Sequence, residues 1–321
     1  MLPAFPDFAD VSAGSCLEAR RLVARLPSYA DFSMVFLHCY AAELRIGLAE
    51  HRTNLVVRFT DRRTNSPTCS FAGHGPAAET ARVLLASLRG AGHLPELCLI
   101  PKEAAMQLGA GCFVVEPDPA HFEYLLDVEQ IAAFEGRKFK QRRNHVNRFR
   151  ARSAAQAVPL DLSDATMHGA VLRLCGEWRA HKAQRCPPAM SVFGEDDLGP
   201  IAHFLLLAHT LPHVALGLFD GRELIAFAIC ELTEGGSAIA HFVKANTWTF
   251  PGAFDAMMQE TARALLARGC LRLNIQEDLG SPSLRFFKRS YRPVALLEKY
   301  RVREREAISL SKPVQVLAGE G

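Results

Sequence analysis

The chain has 321 residues, of which 49% are hydrophobic and 22% are charged, and its formal net charge is +3. This balance is typical of a folded protein and argues against a disordered chain. The length suits two domains or one large one, and 22 glycines and 18 prolines without a short period argue against a collagen-like or repeat protein.

The first half of the chain predicts short helices alternating with strands. The spacing of apolar residues indicates helices over residues 16–26, 76–89 and 102–108. Strands are predicted near Leu44 and over residues 55–60, 69–71, 97–100, 112–115 and 122–126.

A basic segment follows at residues 137–152, which contain eight Lys or Arg and no acidic residue. Phe139, Val146 and Phe149 form an apolar stripe, so the segment predicts a docked helix with a basic outer face. Such a face attracts phosphate backbones, anionic lipid headgroups or phosphorylated cofactors. The alternative is a solvated linker helix whose charges pair with acids elsewhere.

The second half predicts helices first and then a sheet. Its predicted helices cover residues 164–181, 195–209, 253–268 and 282–290. Its predicted strands cover residues 158–160, 213–219, 224–230, 237–243, 271–275 and 294–300. A hairpin meander followed by helical crossovers indicates a mixed α/β sheet, in the element order of the GNAT acyltransferase fold.

A short internal sequence similarity suggests that one domain was duplicated. Residues 79–86 and 260–267 are identical at seven of eight positions, and each octamer lies in the predicted helix before a short strand. Chance similarity in a chain rich in Ala, Leu and Arg is the alternative. With the matching element order, we predict two tandem GNAT-like domains: residues 1–150, ending in the basic helix, and residues 151–321, carrying the site.

The chemistry-bearing residues gather after the strand at 271–275. Asp278 lies at the end of this strand, where open α/β sheets place ligands, and Arg285 and Lys288 share one face of the next helix. Asp278 could take or orient a proton, while the two cations hold a phosphate or a developing oxyanion. Lys244 ends the neighbouring strand and could reach the same place. A salt bridge of Asp278 with Arg285 that only fixes the turn is the alternative.

Three stretches resemble one known family. The first runs from Asp127 through the basic segment to Phe149, and the second joins Lys244-Ala245-Asn246 to Gly252-Ala253-Phe254. The third comprises Asn274, Asp278-Leu279-Gly280, Leu284-Arg285, Lys288, Tyr291 and Pro293. Together they resemble the uncharacterised proteins related to the catalytic domain of phosphatidylglycerol lysyltransferase. Val243, Gln276 and Ser283 depart from that family's Glu, Glu and Gly.

The resemblance implies an acyl or aminoacyl transferase with a tandem GNAT-like fold. It implies aminoacyl-tRNA as the donor co-substrate, a lipid headgroup or small molecule as the acceptor, and neither a bound cofactor nor a metal. The catalytic residues expected are Asp278, Lys244, Arg285 and Lys288. The substrate-binding residues expected are Asn246, Asn274, Glu277 and Gly252. The residues expected to bind tRNA or another phosphate are Arg137, Lys138, Lys140, Arg142, Arg143 and Arg148.

Two other functions stay open. An acyl-CoA-dependent N-acyltransferase would cradle the CoA pyrophosphate on backbone N–H groups around Gly252. Pro251 removes one such donor and Phe254 crowds the approach, which argues against CoA. The third possibility is a non-catalytic binding protein that has kept the fold.

Nine scattered cysteines without a C-x-x-C pair argue against a zinc ribbon and favour reduced thiols. The N-terminus has no basic segment followed by an apolar one, so no signal peptide is predicted. The longest apolar stretch, residues 201–211, is too short to span a bilayer. We therefore expect a cytoplasmic protein without a transmembrane segment, and peripheral contact with a membrane stays open.

Overall fold

The computed structural model describes residues 1–185 and 197–305, which form three β-sheets packed among helices. The strands are β1 (Ala9–Asp10), β2 (Gly47–His51), β3 (Asn54–Asp61), β4 (Ser66–Gly73), β5 (Glu96–Pro101), β6 (Phe113–Pro117), β7 (Glu123–Asp127), β8 (Gln156–Pro159), β9 (His213–Asp220), β10 (Glu223–Thr233), β11 (Ser237–Ala245), β12 (Arg272–Asn274), β13 (Ala295–Leu297) and β14 (Lys299–Glu304). The helices are α1 (Ala13–Leu22), α2 (Met34–Cys39), α3 (Ala41–Leu44), α4 (Ala77–Gly90), α5 (Lys102–Ala105), α6 (Val128–Ala133), α7 (Lys140–Arg150), α8 (Ala165–Arg185), α9 (Leu198–Leu207), α10 (Ala253–Leu266) and α11 (Pro282–Ser290). The predicted start of the helix at residue 195 lies outside the described residues.

The largest sheet has seven strands in the order β13-β7-β12-β11-β10-β9-β8. Strands β8 to β11 form an antiparallel meander, and α10 connects β11 to its parallel neighbour β12. Gly221, Gly235 and Gly236 adopt positive φ in the two hairpin turns, which is why the turns occur where the sequence predicts them. The mixed α/β sheet expected from the element order is confirmed.

Both faces of this sheet are buried because its side chains alternate between two apolar clusters. Phe227, Ile229 and Phe242 face a cluster that includes α2, α8 and α9. Ala226 and Ala228 face the opposite cluster, which includes α6, α7 and α10. Period-two alternation therefore holds even where both faces are apolar.

The two halves of the described chain exchange strands. Strand β7 lies between β12 and β13, and Leu125 is opposite Ala295. In return, β14 lies between β5 and β6, and Tyr300 is opposite Ile100 and Pro117. Each half is thus completed by a strand from the other. The division at residues 150 and 151 and the tandem arrangement stay predictions.

Two predicted strands differ from the structure. The segment near Leu44 is the short helix α3, which ends when Arg45 adopts a left-handed φ of 53° and turns the chain into β2. The strand predicted at residues 294–300 divides at Glu298 into β13 and β14, which belong to different sheets. Periodicity alone carries no information about either change of direction.

The basic segment forms α7 with the apolar stripe inward, as predicted. Phe139, Val146 and Phe149 are buried against the cluster that contains α10. Among the described helices, none combines the length and the apolar character needed to cross a lipid bilayer.

Candidate active site

A cavity of about 400 Å³ lies at the carboxyl ends of β11 and β12. Parallel neighbours bring these ends to one edge of the sheet, which is where open α/β sheets bind ligands. We call it the central cavity. Its polar and charged lining residues are Tyr40, Arg62, Asp197, His241, Lys244, Gln276, Glu277, Lys288 and Tyr291. Its aromatic lining residues include Phe36, Trp178, Phe254 and Phe287.

The loop after β12 has an unusual backbone. Gln276 and Leu279 adopt φ values of 60° and 51°, in a backbone region that residues other than glycine rarely adopt. The Gln276 amide donates to the carbonyl of Ala240 at 2.7 Å, which ties the loop to β11. A glutamate at this position, as in the related family, would lack that donor. Strained backbone of this kind is concentrated at functional sites, and here the loop directs Glu277 into the cavity.

Lys288 carries an ammonium from α11 into the cavity wall. Ser281 caps this helix and Pro282 occupies its first turn, which explains the predicted start. The Lys288 ammonium donates to the carbonyls of Ile275 at 2.5 Å and Glu277 at 2.6 Å. Burial lowers the pKa of Lys288 to about 8. The described residues thus accept from two of its three N–H donors, which leaves one for a ligand oxygen.

Lys244 supplies a second ammonium at the end of β11. Its Nζ lies 2.7 Å from Asp197 Oδ2 and 4.2 Å from the ring centre of Trp178. An indole face attracts a cation, and the carboxylate neutralises it. The cavity therefore contains two lysine ammonium groups, held in place by different partners.

Asp278 and Arg285 lie beside the cavity and form an ion pair. Asp278 is fully buried and accepts from Arg285 Nε at 2.8 Å, Tyr124 Oη at 2.5 Å and the Gly280 N–H at 2.9 Å. Burial raises the pKa of Asp278, but the hydrogen bonds from Arg285 and Tyr124 outweigh it and hold the pKa below its usual value. The pair joins the loop to α11. Direct catalytic roles for Asp278 and Arg285 stay predictions.

Asn274 is buried and fixes the start of the same loop. Its side-chain amide donates to the carbonyl of Ser28 at 2.9 Å and to the carboxylate of Glu123. Its carbonyl oxygen accepts from the N–H of Gln276 at 2.8 Å. The substrate-binding role expected of Asn274 stays a prediction.

Beneath the loop lies a buried charge network around Lys299. Its ammonium contacts Asp31, lies 2.5 Å from Glu123 Oε1 and lies 4.0 Å from Glu277 Oε2. Burial would lower the pKa of Lys299, but the carboxylates of Asp31 and Glu123 raise it well above its usual value. Burial raises the pKa of Glu123 to about 7. Three carboxylates therefore share one ammonium below the cavity.

A second cavity of about 510 Å³, the side cavity, adjoins the central one. The two share Phe36, Arg62, Glu277 and Leu279 as lining residues. The apolar lining residues of the side cavity are Phe32, Phe36, Leu44, Ile46, Val57, Phe59, Leu99, Ala120 and Leu279. Glu277 thus stands where two adjoining spaces meet.

Asn246 and Gly252 shape the connection from β11 to α10. Asn246 is buried and accepts from the N–H of Thr249 at 2.9 Å. Gly252 is the N-cap residue of α10 with a φ of 95°, and a Cβ there would lie 2.4 Å from the carbonyl oxygen of His145. The approach to Gly252 is therefore filled by α7. Ligand-binding roles for both residues stay predictions.

The cations of α7 divide into two groups. Arg142 points inward, where it pairs with Asp255 at 2.9 Å and lies 4.4 Å from the ring centre of Tyr291. Arg143 donates to the carbonyls of Phe134 and Gly136. The outer face of α7, together with two residues before it and one after α11, lines an open depression of about 510 Å³, the basic depression. Its lining residues are Arg137, Lys138, Lys140, Gln141, Asn144, His145, Arg148 and Arg292.

Of the predicted site residues, Lys244, Glu277 and Lys288 are brought together around the central cavity. His241 also lines it, but its imidazole is buried and paired with Glu231 at 2.9 Å, as expected of a structural histidine. Sequence reasoning missed the lining residues Tyr40, Arg62, Trp178 and Asp197 and the Lys299 network. Trp178 falls in the helix predicted over residues 164–181, but no local pattern marks it or the others as lining a cavity.

Residues 46–303 match the family model described as phosphatidylglycerol lysyltransferase, C-terminal. The chain belongs to this family. The resemblance stated from the three stretches is therefore confirmed, and the relationship indicates a transferase domain. A search of curated proteins finds no significant match.

Solved structures share the fold at low sequence identity. A conserved protein of unknown function from Bacteroides thetaiotaomicron is 21% identical, with a TM-score of 0.80 over 95% of this chain and 100% of that one. The C-terminal domain of a putative lysylphosphatidylglycerol synthetase from Agrobacterium fabrum is 17% identical, with a TM-score of 0.61 over 91% and 92%. L-PGS from Bacillus licheniformis is 15% identical, with a TM-score of 0.56 over 79% and 82%.

Proposed function

We propose that this protein transfers an aminoacyl group from an aminoacyl-tRNA to a lipid headgroup or a small molecule in the cytoplasm. In this proposal the chain is a tandem GNAT-like transferase whose site is carried by residues 151–321. The observation that carries the proposal is the arrangement around α11. Arg292, two residues after the end of this helix, lines the basic depression, and Lys288 of the helix lines the central cavity.

The basic depression supports an RNA donor. It is lined by six Lys, Arg or His residues and by no carboxylate. A surface of this kind binds a phosphate backbone by displacing its counterions. The aminoacyl end of the bound donor would then reach the central cavity beside α11.

The packing at Gly252 disfavours acyl-CoA as the donor. A pyrophosphate held on N–H groups at the start of α10 needs open space beside this glycine. On the side where a Cβ of Gly252 would point, that space is occupied by the backbone of His145. The donor's phosphates would instead bind the outer face of α7.

The transfer needs little activation because an aminoacyl ester is already reactive. The acceptor's hydroxyl or amine adds to the ester carbonyl carbon, the bond from that carbon to the ribose oxygen breaks, and the acceptor's proton ends on the ribose oxygen. Negative charge develops on the carbonyl oxygen in between. Preorganised donors at that oxygen are worth roughly 10²–10³ in kcat each.

In this proposal Lys288 and Lys244 stabilise the developing charge, while Glu277 orients the acceptor's nucleophile. Burial raises the pKa of Glu277, but Lys299 and other nearby cations outweigh it and lower the pKa, so that the carboxylate is ionised at neutral pH. Asp278 and Arg285 act as positioning residues for the loop and α11.

Transfer from two labelled donors tests the proposal. One tube holds the protein, total tRNA charged with labelled amino acids and a cell extract as the acceptor source, and the other holds labelled acetyl-CoA instead. We expect label to pass from tRNA to a new product. Lys288→Gln should slow this transfer by about 100-fold or more, since it removes an oxyanion donor.

Lys102→Gln is the matched control, because it removes an exposed lysine that pairs with Glu298. It should transfer at the wild-type rate. Label that passes only from acetyl-CoA would contradict the tRNA donor and favour the acyl-CoA alternative. No transfer from either donor, with the protein folded, would favour a binding protein without catalysis.

A further inference from the structure

Phe286 lies on the outside of α11 with 78% of its surface exposed. Within residues 1–185 and 197–305, the other Phe, Tyr and Trp residues are buried or half-buried. Exposing a phenyl ring to water is unfavourable. None of the roles assigned above to α11 involves this ring.

The position of the ring relates it to the basic depression. Phe286 and Arg289 are both exposed and lie three residues apart on α11, and Arg292, also exposed, follows two residues after this helix ends. Arg292 lines the depression together with α7. Because a helix rises 1.5 Å per residue, Phe286 lies roughly 6 Å along the axis from Ser290, the last residue of α11, and Arg292 follows two residues later.

The opposite side of the helix faces the candidate active site. Leu284, Phe287 and Lys288 line the central cavity. An RNA strand that runs from the basic depression to the cavity would pass beside α11, which carries the exposed ring of Phe286.

We propose that Phe286 is a stacking platform for an unpaired base of the RNA that binds the basic depression. This inference rests on the proposed function. Proteins that hold single-stranded nucleic acid combine a positively charged surface with aromatic rings on which the bases stack. Arg289 and Arg292 supply positive charge from the next turn of α11 and from just beyond its end, and Phe286 supplies the flat apolar face.

A membrane surface would require a broader apolar face. Membrane-binding helices bury a continuous apolar stripe in the lipid interface. In α11 that stripe, with Leu284 and Phe287, already lines the cavity. On the outer side Phe286 is an isolated ring between Ser283 and Arg289, both exposed. A single ring with a cation one turn away suits one base better than a bilayer.

The test compares two labelled RNA hairpins of the same stem, one blunt and one with a short unpaired 3′ tail. Phe286→Ala should weaken binding of the tailed hairpin by about 5- to 150-fold, the range measured for loss of one stacked base. Binding of the blunt hairpin should not change. Phe286→Tyr keeps the aromatic face and should bind the tailed hairpin like the wild type.

Arg148→Ala separates this inference from the proposed function. It should weaken binding of both hairpins, because Arg148 belongs to α7 and lines the basic depression. Equal affinity of the wild type and Phe286→Ala for the tailed hairpin would overturn the stacking platform, while the effect of Arg148→Ala would leave the RNA surface intact. Failure of the wild-type protein to bind either hairpin would overturn both proposals.

Vesicles of equal parts phosphatidylcholine and phosphatidylglycerol provide the remaining comparison. Phe286→Ala should sediment with them to the same extent as the wild type. Loss of vesicle binding in Phe286→Ala, with RNA binding unchanged, would overturn the proposal and assign the ring to a membrane surface.

Discussion

The ammonium of Lys299 is fully buried, and its charge is balanced by carboxylates that lie far away in the sequence. Moving such a group out of water is costly, and the mutual attraction of the charges offsets this only when each one keeps its partner. The Lys299 ammonium also lies 4.0 Å from Glu277 Oε2, below the loop that carries Glu277. Lys299 therefore links the stability of the protein to the geometry of the central cavity.

Replacing Lys299 with Met should lower the free energy of unfolding by about 3–5 kcal/mol, because Asp31 and Glu123 would remain buried without their cation. Urea unfolding followed by circular dichroism measures the change. Lys102→Met is the matched control, since Lys102 is 48% exposed in its pair with Glu298 and an exposed pair contributes about 0–1 kcal/mol. Equal midpoints for the two variants would contradict the network's role.

The pKa of Lys288, lowered to about 8 by burial, predicts a pH limit for transfer. Below that pH the side chain is a cation that can stabilise a developing oxyanion, and above it the neutral amine cannot. The rate should therefore be level below about pH 8 and fall as pH rises through that value. Lys288→Arg keeps a cation at every accessible pH, so any activity that remains in this variant should not fall above about pH 8. An unchanged fall in that variant would assign the titration to another group.

At the scale of elements, α7 and α10 are joined by polar and steric contacts at one point. Asp255 on α10 accepts from Arg142 and lies 2.7 Å from Nδ1 of His145. Gly252 lets the backbones approach closely because it has no Cβ. The helix that bears the basic depression is thereby held against the connection that leaves β11.

Gly252→Ala should lower the free energy of unfolding by about 1–3 kcal/mol, since the new Cβ would meet the His145 carbonyl and the positive φ would be strained. Thermal unfolding measures the loss. Gly169→Ala in α8 is the control: a Cβ there meets nothing within 4 Å, and in a helix the change should stabilise by about 0.5–1 kcal/mol. A neutral Gly252→Ala would mean that α7 moves aside easily.

For the whole molecule, the strand exchange decides how the halves depend on each other. Without β7, the strands β12 and β13 would each expose an edge. Without β14, the strands β5 and β6 would lose the partner that lies between them. Unpaired edges of this kind favour aggregation.

Residues 1–150 and 151–321, expressed separately, should therefore each fail to unfold cooperatively. Expressed together, they should associate and recover part of the cooperative transition, because the missing strands are again available. Chemical-shift dispersion and urea unfolding of each fragment measure this. A fragment that folds alone with a sharp transition would show that its borrowed strand is dispensable and that the boundary separates independent domains.

Much of the element order followed from local information. The hairpins at residues 220–223 and 233–237, the start of α11 at Ser281 and the inward stripe of α7 all follow from turn chemistry and periodicity within about ten residues. The wrong strand near Leu44 follows from the same limit, because the left-handed turn at Arg45 has no marker such as glycine.

The site divides in the same way. Lys244, Glu277 and Lys288 could be expected from strand ends and helix faces, and the family from three spaced motifs. Only the tertiary structure placed Trp178 and Asp197 beside Lys244, turned Arg142 inward and surrounded Lys299 with carboxylates up to 268 residues away in the sequence. Local periodicity reports which face of an element is apolar, whereas the partner of a buried charge depends on how distant segments pack, and no short stretch of sequence contains that information.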